Sequence, residues 1–577
     1  AGFFLPSGFS FLKKYFIFMP FMSVKADLLY RPFVFLLFLG LVSAEMKSGD
    51  TLVIHPITFE TPSPEGWNAP YRVIVSFPSE NTTWNKIWLV QTLKCDPSTR
   101  GDKYDCGEWD YIWDVLLHVP AGDSTEVFKL GSYVTPYGKR LYLGGDQGWI
   151  WTYDITDYAP LLQGDLDLTM GNNQELLDLK FLFIAGTPVR DVLTVENVYS
   201  PGKLDEHYSY MYRYSALAGD SVLQAKELIL RPDAAGYRLK AIISGHGHEG
   251  PDNCCEWTDK WHAYWLNGNK TYTWNIWKDC GNNAVYPQGG TWPYDRAGWC
   301  PGTKVDEYSF EITDLVEPGA TVTIDYEIEP PMDEQENPGI YRMAHQLFSY
   351  GTPYFSVNAE LKEVINPSSE DDYSRINPTL FEPRILVQNS GSDVIRNMRI
   401  TYGMLYGVQS TYRWRGLLVF LEQTEIALPI PDWSGLNQDR TFVVEIAAVN
   451  GMRDDYPQDS RRTTRVQIPA VLPEAFTIYL QTNNFGRARE NTLSIRNQAD
   501  STVLKMDNLE DDQLYKIPVQ LDTGFYELLF SDQEEDGIDR LWWKSNKDSV
   551  GSSGKLQLLG IYDTVLVEFP PDFGQEI

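Results

Sequence analysis

The sequence predicts an all-β protein built from antiparallel sandwiches. Apolar residues recur at every second position in short runs, and Gly, Pro, Asn and Asp interrupt these runs. Few stretches show the period of an amphipathic helix, so the pattern favours sandwiches over alternating strands and helices. The clearest strand-like runs are YRVIVSF at 71–77, KIWLVQT at 86–92, LKFLFI at 179–184, YRLKAIIS at 237–244 and TVTIDYEI at 321–328.

The composition indicates several folded domains and disfavours two classes of partner. A chain of 577 residues is long enough for about three to five domains. Hydrophobic residues make up 43% and include 18 Trp, which is enough to build cores. The 79 acidic and 48 basic residues give a net charge of −31, which disfavours nucleic acid and anionic membranes. A neutral ligand such as a sugar fits this surface better.

Residues 1–44 have the pattern of a secretory leader. Lys25 and Arg31 precede an apolar run at 32–42, and Val42-Ser43-Ala44 resembles a signal-peptidase site. A membrane anchor made from the whole apolar stretch is the alternative, but charged residues and a proline interrupt that stretch. We expect a secreted, periplasmic or cell-surface protein with no membrane association beyond export.

The cysteines agree with export. Their number, six, is even, which in an exported chain indicates disulfides. Two pairings would each close a short loop, Cys95 with Cys106 and Cys280 with Cys300. The adjacent Cys254 and Cys255 would either bond to each other or remain thiols. The sequence has no CxxC pair, which disfavours a zinc–thiolate site.

Three loop-like segments predict the domain boundaries. They are VYSPGKL at 198–204, INPSSEDDY at 365–373 and VLP at 471–473. The last 200 residues are expected to form two sandwich modules, the first immunoglobulin-like. The predicted units are the leader 1–44, domains 45–203 and 204–366, the immunoglobulin-like sandwich 373–470 and the accessory sandwich 471–577.

An acidic turn at 531–539, SDQEEDGID, interrupts the last unit. Its carboxylates could form a calcium loop, although their spacing does not match an EF-hand. A solvated turn is the simpler interpretation.

The segment C-G-E-W-D at 106–110 is the first candidate for chemistry. If it enters a strand, Glu108 and Asp110 share one face and Trp109 lies on the other. Neighbouring carboxylates raise each other's pKa, which suits acid–base catalysis. An exposed acidic strand face is the alternative.

The segment S-G-H-G-H-E-G at 244–250 is the second candidate. On a strand His246 and His248 would share one face and could ligate copper or zinc. The glycines instead favour an irregular loop in which these side chains make hydrogen bonds, and His262 is the one further histidine nearby.

The third candidate is the segment W-P-Y-D-R-A-G-W-C-P-G at 292–302. The planar fork of Arg296 could hold a carboxylate or a polar ligand group. Seven tryptophans lie between residues 257 and 299. They could bind sugar rings through their faces or could form core.

Together these segments resemble the peptide-N-glycosidase F family, whose members remove N-linked glycans from asparagine. The resemblance covers residues 50–365 and rests on four motifs. They are C-G-E-W-D at 106–110, I-S-G-x-G-H at 243–248, C-x-E-W at 254–257 and D-R-A-G-W-C-P-G at 295–302. It implies two adjacent jelly-roll sandwiches with the active site in the cleft between them.

The resemblance also implies roles for single residues. Asp110 corresponds to the principal catalytic Asp of the family, Glu256 to a second active-site Glu, and Arg296 to the Arg of the loop motif. No cofactor and no metal are implied. Trp109, Trp257 and Trp299 match aromatic residues near the family's cleft, and His248 matches a family His. We also expect Glu108 and His246, which replaces a family Trp, to contact the substrate.

The implied function is a secreted, monomeric amidase that acts on N-glycosylated proteins or glycopeptides. It would cut the amide between asparagine and N-acetylglucosamine, release the glycan as a glycosylamine and leave aspartate. The sequence departs from the family at Ile184, where the family has an acidic residue. Two alternatives stay open: a copper-dependent monooxygenase-like enzyme with His246 and His248 as ligands, and a non-catalytic glycan-binding protein.

Overall fold

Strands account for nearly all the regular structure of the chain. The computed structural model describes residues 46–79, 82–98, 102–202, 211–331, 338–541 and 550–577. The prediction of an all-β fold is confirmed, since the described residues hold 34 strands and one short α-helix. The expected leader 1–44 lies outside the described residues. Within those residues, no helix combines the length and apolar character needed to cross a membrane.

The first sandwich is a jelly roll. Its sheets run in the orders β1-β8-β3-β6 and β2-β7-β4-β5-β17, where β17 (Thr303–Lys304) comes from a later loop. The strands β1 to β8 have the double Greek-key arrangement. The runs at 71–77, 86–92 and 179–184 form or lie within its strands, as predicted. Its strands are β1 (Thr51–Ile57), β2 (Tyr71–Phe77), β3 (Trp84–Cys95), β4 (Ile112–Ala121), β5 (Ser124–Val134), β6 (Trp149–Asp154), β7 (Gly164–Met170) and β8 (Glu175–Ala185).

The second sandwich repeats the arrangement. Its strands are β9 (Val192–Tyr199), β10 (Tyr212–Arg213), β11 (Lys226–Ile229), β12 (Gly236–His246), β13 (Trp261–Leu266), β14 (Asn269–Asn275), β18 (Glu307–Glu311), β19 (Thr321–Ile328) and β20 (Ile340–Tyr350). The sheets run β10-β20-β12-β18 and β11-β19-β13-β14, with β9 also paired to β20. Three two-residue strands lie in its loops: β15 (Trp277–Lys278), β16 (Arg296–Ala297) and β17 (Thr303–Lys304).

The third sandwich has an immunoglobulin-like arrangement. Its sheets run β21-β22-β25 and β24-β23-β26-β27. The strands are β21 (Ala359–Asn366), β22 (Arg384–Asn389), β23 (Ile395–Met404), β24 (Ser410–Leu418), β25 (Gln423–Ala427), β26 (Thr441–Val449) and β27 (Arg461–Arg465). The predicted boundaries assign β9 to the first sandwich and β21 to the second, but β9 pairs with β20 of the second and β21 with β22 of the third. Apolar periodicity indicates a strand but not which sheet the strand joins.

The fourth sandwich has the orders β31-β28-β33-β34 and β30-β29-β32. Its strands are β28 (Ala475–Gln481), β29 (Asn491–Asn497), β30 (Thr502–Met506), β31 (Leu514–Gln520), β32 (Tyr526–Asp532), β33 (Lys555–Leu559) and β34 (Val565–Phe569). Among the described residues, the helical segments are α1 (Tyr214–Ala218) and the 3₁₀ turns Thr156–Tyr158, Pro251–Asn253, Thr313–Leu315, Asp371–Tyr373, Arg487–Glu490 and Ile561–Asp563.

Two contacts fix the first sandwich against the second. Asp114 on β4 pairs with Lys129 on β5 at 3.0 Å and with Arg342 on β20 at 2.6 Å. These two cations hold the pKa of the buried Asp114 well below its usual range. A small apolar cluster crosses the same junction and contains Val134, Ile242, Trp299 and Val305. The junction therefore holds the loops of both sandwiches in fixed positions.

Candidate active site

Asp110 lies in a loop that is tied down at both ends. The Cys95–Cys106 disulfide closes the loop before it. The backbone N–H of Tyr111 donates to Thr135 Oγ1 at 2.8 Å, and the Thr135 N–H donates to the Tyr111 carbonyl at 2.9 Å. The segment is therefore not a strand, since β4 begins only at Ile112. The expectation that alternation would place Glu108 and Asp110 on one strand face is wrong.

Tyr137 connects this loop to the second sandwich. Its hydroxyl donates to Asp110 Oδ2 at 2.9 Å, and its backbone N–H donates to Gln288 Oε1 at 2.9 Å. Gly290 has a φ of +65°, and a Cβ there would lie 2.8 Å from the Tyr137 ring. Only glycine combines that backbone conformation with so close an approach. The Tyr137 ring is thus held between the two sandwiches.

Glu256 and Arg296 form a buried pair on the side of the second sandwich. The Glu256 N–H donates to the Gly247 carbonyl and the Glu256 carbonyl accepts from the Ala297 N–H, each at 3.0 Å. Arg296, which is fully buried, donates from Nε to Glu256 Oε1 at 3.2 Å. Its other nitrogens donate to the Tyr294 carbonyl at 2.6 Å and to Thr291 at 2.9 and 3.0 Å.

Two tryptophans enclose the guanidinium group. Its carbon lies 4.2 Å from the centre of the Trp257 ring and 4.9 Å from that of Trp299. Cation–π contacts of this kind are stronger when the cation is desolvated. Hydrogen bonds and ring contacts together orient Arg296, and Arg296 in turn orients the Glu256 carboxylate.

The environment raises the pKa of Asp110 to about 7. Burial is the largest cause, and the negative charge of Glu256 adds to it. The positive charge of Arg296 and the hydrogen bond from Tyr137 act in the opposite direction. Asp110 therefore responds electrostatically to Glu256 and Arg296 across the junction. A carboxyl group with such a pKa can exchange a proton near neutral pH.

The other predicted contact residues differ in accessibility. Trp109 is 55% exposed and His248 is exposed, while Glu108 and Trp257 are half-buried. His248 Nδ1 lies 3.8 Å from Glu256 Oε2. Trp299 is buried and donates through Nε1 to the Gly245 carbonyl at 2.8 Å. The structure therefore brings Trp109, His248 and Trp257 to accessible positions around the site and sets Trp299 behind it.

His246 is also buried. It is 4% exposed, its Nε2 lies 2.8 Å from Ser244 Oγ, and its ring lies 5.0 Å from that of Trp299. Burial and the nearby Arg342 lower its pKa well below the usual range. In this position the His246 ring packs against protein groups and is not accessible to a substrate. The expected face shared with His248 does not form, because β12 ends at His246.

A copper or zinc site at this pair needs at least one further ligand close by. Neither His246 nor His248 belongs to a group of three potential metal ligands in the part of the chain that the structure describes. The ring of His262 is buried elsewhere, with Nδ1 2.6 Å from the Tyr326 hydroxyl. These three histidines therefore do not come together as a ligand set.

All six cysteines are paired. The bonds are Cys95–Cys106, Cys254–Cys255 and Cys280–Cys300, so the adjacent pair bonds to itself. The Cys254–Cys255 bond lies just before Glu256, and Cys280–Cys300 closes the loop that carries Arg296. Each of the three segments that carry Asp110, Glu256 and Arg296 thus has a disulfide in or next to it.

Comparison with known proteins finds similarity in the second sandwich. A family model described as "Peptide-N-glycosidase F, C terminal" matches residues 213–348. The chain is 26% identical over 279 residues to peptide-N(4)-(N-acetyl-beta-D-glucosaminyl)asparagine amidase F from Elizabethkingia miricola. That match covers 44% of this chain and 70% of the relative.

Two solved structures are also similar to the chain. One is PNGase F, a glycosylasparaginase from Flavobacterium meningosepticum, with 22% identity and a TM-score of 0.42; the match covers 52% of this chain and 96% of that one. The other is PNGF-II, with 16% identity and a TM-score of 0.40; the match covers 53% of this chain and 66% of that one.

Two positions where the sequence departs from the peptide-N-glycosidase F family have clear structural settings. Ile184 pairs with Thr51 and Lys86 in the first sandwich, so an apolar residue fits a regular strand there. Tyr111, where the family has Arg, is 5% exposed, and its hydroxyl donates to Asp102. Burial and Asp102 raise the pKa of Tyr111, so it remains a neutral residue behind the Asp110 loop.

Sequence reasoning missed the residues that join the two halves of the site. Tyr137 donates to Asp110, Gln288 accepts from the Tyr137 N–H, and Thr291 accepts from Arg296. The first two contacts join residues distant in sequence, and no motif marks Thr291. The glycine at 290 is the one signal in the neighbourhood, since glycine is the residue that a close backbone approach requires.

Proposed function

We propose that this chain hydrolyses the amide bond between an asparagine side chain and N-acetylglucosamine in N-linked glycopeptides. The observation that carries the proposal is the arrangement of Asp110, with its raised pKa, beside the buried Glu256–Arg296 pair. The similarity to an asparagine amidase of known class supports the same class of reaction, an N-glycan amidase.

The reaction requires one water and moves two protons. Water adds to the carbonyl carbon, the C–N bond breaks, and the leaving nitrogen takes a proton. The products are aspartate and a glycosylamine, which then decomposes to ammonia and free sugar. Asp110 is the proposed catalytic group, because its pKa of about 7 suits proton exchange with the water or the leaving nitrogen.

Glu256 is the proposed second carboxylate, and Arg296 is proposed as its positioning residue. Arg296 is fully buried and its donors already reach Glu256, Tyr294 and Thr291. Four of its five N–H groups already bond to protein groups, and its side chain has no exposed surface from which to reach a substrate carbonyl. Its role is therefore to fix the Glu256 carboxylate against the site.

The sugar would lie against the accessible aromatic side chains. Trp109 is 55% exposed next to Asp110, and Trp257 is half-buried next to Glu256. Tryptophan faces suit the apolar faces of sugar rings. The net charge of −31 also favours a neutral glycan over an anionic ligand. We propose that the enzyme acts after export, on N-glycosylated proteins or glycopeptides.

The test is incubation of the purified chain with a defined N-glycopeptide, followed by mass spectrometry of both products. Amidase chemistry converts asparagine to aspartate, a gain of about 1 Da, or about 3 Da in ¹⁸O-labelled water. Cleavage between two sugars would leave a sugar on the peptide and would contradict the proposal. Binding of the glycopeptide without any release would instead identify a non-catalytic glycan-binding protein.

A further inference from the structure

The last sandwich packs against the loop that carries the candidate site. Tyr286 of that loop lies against the core of the fourth sandwich, and Trp292 Nε1 donates to Asp572 Oδ1 at 3.0 Å. The Gln575 N–H donates to the Gly281 carbonyl at 2.9 Å. The Gln575 side chain also donates to Glu535 Oε1 at 2.9 Å, so the acidic turn at 531–539 lies at this contact rather than at a remote surface.

A group of three carboxylates occupies the base of the turn. Glu490, Asp532 and Asp536 each place one oxygen within 4.8 Å of the others. Asp532 is 2% exposed and Asp536 is 8% exposed, so this group is mostly buried. Carboxylates are rarely buried unless they are paired or coordinate a metal.

Several oxygens of this group lack a hydrogen-bond partner. Asp532 Oδ1 accepts from the Glu534 N–H at 2.9 Å, but Asp532 Oδ2 and Glu490 Oε2 are buried without any partner. Asn491, which is 1% exposed, pairs with Asp532 in the β29–β32 register, and its Oδ1 is also without a partner. Directly opposite residues of a strand pair present their side chains on the same face. Unpartnered oxygens thus converge from two strands.

Arg487 is a described cation that contacts this group. It donates to Asp536 and to the carbonyls of Gly537 and Asp539. Its bond to Asp536 leaves Asp532 Oδ2 and Glu490 Oε2 without a donor. Buried carboxylate oxygens of this kind suit a divalent cation that takes oxygen ligands.

We propose that Glu490, Asp532, Asp536 and the side-chain oxygen of Asn491 bind one Ca²⁺ ion in the fourth sandwich. Hard oxygen ligands exclude a preference for zinc or copper. Carboxylates on an irregular turn next to an amide oxygen suit the flexible coordination of Ca²⁺ better than the strict octahedron of Mg²⁺. The ion would fix the acidic turn against the loop of Trp292.

A second acidic group serves as the internal comparison. Asp279, Asp295 and Glu535 also approach within 4.8 Å of one another. The oxygens of Asp295 already accept from the Cys280 N–H at 3.0 Å and from Trp277 Nε1 at 3.1 Å, and Asp279 is exposed. This group therefore lacks the buried unpartnered oxygens, and we expect no tight binding there.

The experiment is calorimetric titration of the full chain with CaCl₂ after treatment with a chelator. We expect one Ca²⁺ per chain with a Kd of about 10⁻⁵ to 10⁻³ M, and weaker binding of Mg²⁺. Asp532→Asn and Glu490→Gln should each raise the Kd at least about tenfold, because each removes a charged ligand. The matched control Asp279→Asn should bind as the unchanged chain does.

Thermal unfolding provides the second readout. Ca²⁺ should raise the melting temperature of the unchanged chain and of Asp279→Asn, but not that of Asp532→Asn. Glu490, which is only half-buried, gives the decisive variant if Asp532→Asn does not fold. No heat up to about 10 mM Ca²⁺, unaltered binding by both variants, or loss of binding in Asp279→Asn would overturn the proposal.

Discussion

Replacing Asp110 by asparagine should abolish glycan release while stabilising the protein at alkaline pH. The two side chains have nearly the same size, and the asparagine Oδ1 can still accept from the Tyr137 hydroxyl. The amide of asparagine cannot act as a general acid or base at neutral pH. Since general acid–base catalysis contributes about 10²- to 10⁴-fold, release from a glycopeptide should fall at least about a hundredfold.

The stability effect follows from the raised pKa. The Asp110 pKa moves from 3.8 to about 7 in the folded chain. This difference of about 3 units corresponds to at most about 4 kcal/mol, at about 1.4 kcal/mol per unit. Asp110 keeps some solvent access, so we expect about half of that value. Ionisation of Asp110 is less favourable in the folded state than in the unfolded state. The resulting loss of folding free energy is absent below pH 4, grows from pH 4 to 7 and is complete above pH 7.

Urea unfolding at pH 4 and pH 8.5 measures this difference. Asp110→Asn should match the unchanged chain at pH 4 and exceed its free energy of unfolding by about 2 kcal/mol at pH 8.5. Asp123→Asn is the control, since Asp123 lies on an exposed turn of the same sandwich. The reasoning is refuted if Asp110→Asn releases glycan at the original rate, or if it is less stable than the unchanged chain at pH 8.5.

Three further substitutions test the neighbours of Asp110. Glu256→Gln removes the negative charge that raises the Asp110 pKa, so the acidic limb of the remaining pH–rate profile should move to lower pH. Tyr137→Phe removes a hydrogen bond that lowers the Asp110 pKa, so it should move the acidic limb to higher pH. A shift in the same direction in both variants would contradict the assignment of this limb to Asp110. Arg296→Lys keeps the charge but loses the planar fork, and should lower the free energy of unfolding by about 2–4 kcal/mol in urea titrations. An unchanged unfolding midpoint would show that the buried guanidinium contacts contribute little.

The sequence predicts strands well and their partners poorly. The runs at 71–77 and 321–328 coincide with β2 and β19, because apolar alternation follows directly from the pleat of a strand with one buried face. The strands β9 and β21 show the limit. Both were expected in the preceding domain, yet each pairs with a strand of the next sandwich. Pairing depends on contacts distant in sequence, which local periodicity does not contain.

The same limit applies to the candidate site. The motifs around Asp110, Glu256 and Arg296 identify three groups that the fold brings into electrostatic contact. Alternation fails for Glu108, because that segment is a loop with its own hydrogen bonds. Tyr137, which donates to Asp110, has no motif of its own. Residue types can therefore be found from sequence, whereas the partner that sets a pKa follows from the tertiary structure.

The accessory sandwich is physically part of the candidate site. Trp292 is fully buried, and a Cβ at Gly574 would lie 2.9 Å from its ring, so the last residues of the chain pack directly on the loop of Arg296. Tyr286 of the same loop packs into the fourth core, and Arg375 lies 3.7 Å above its ring. A fragment ending after the second sandwich would expose both rings and lose the bond to Asp572. The loop of Arg296 thus packs against a module that lies outside the matched family region, and we expect changes in that module to reach the site through this loop.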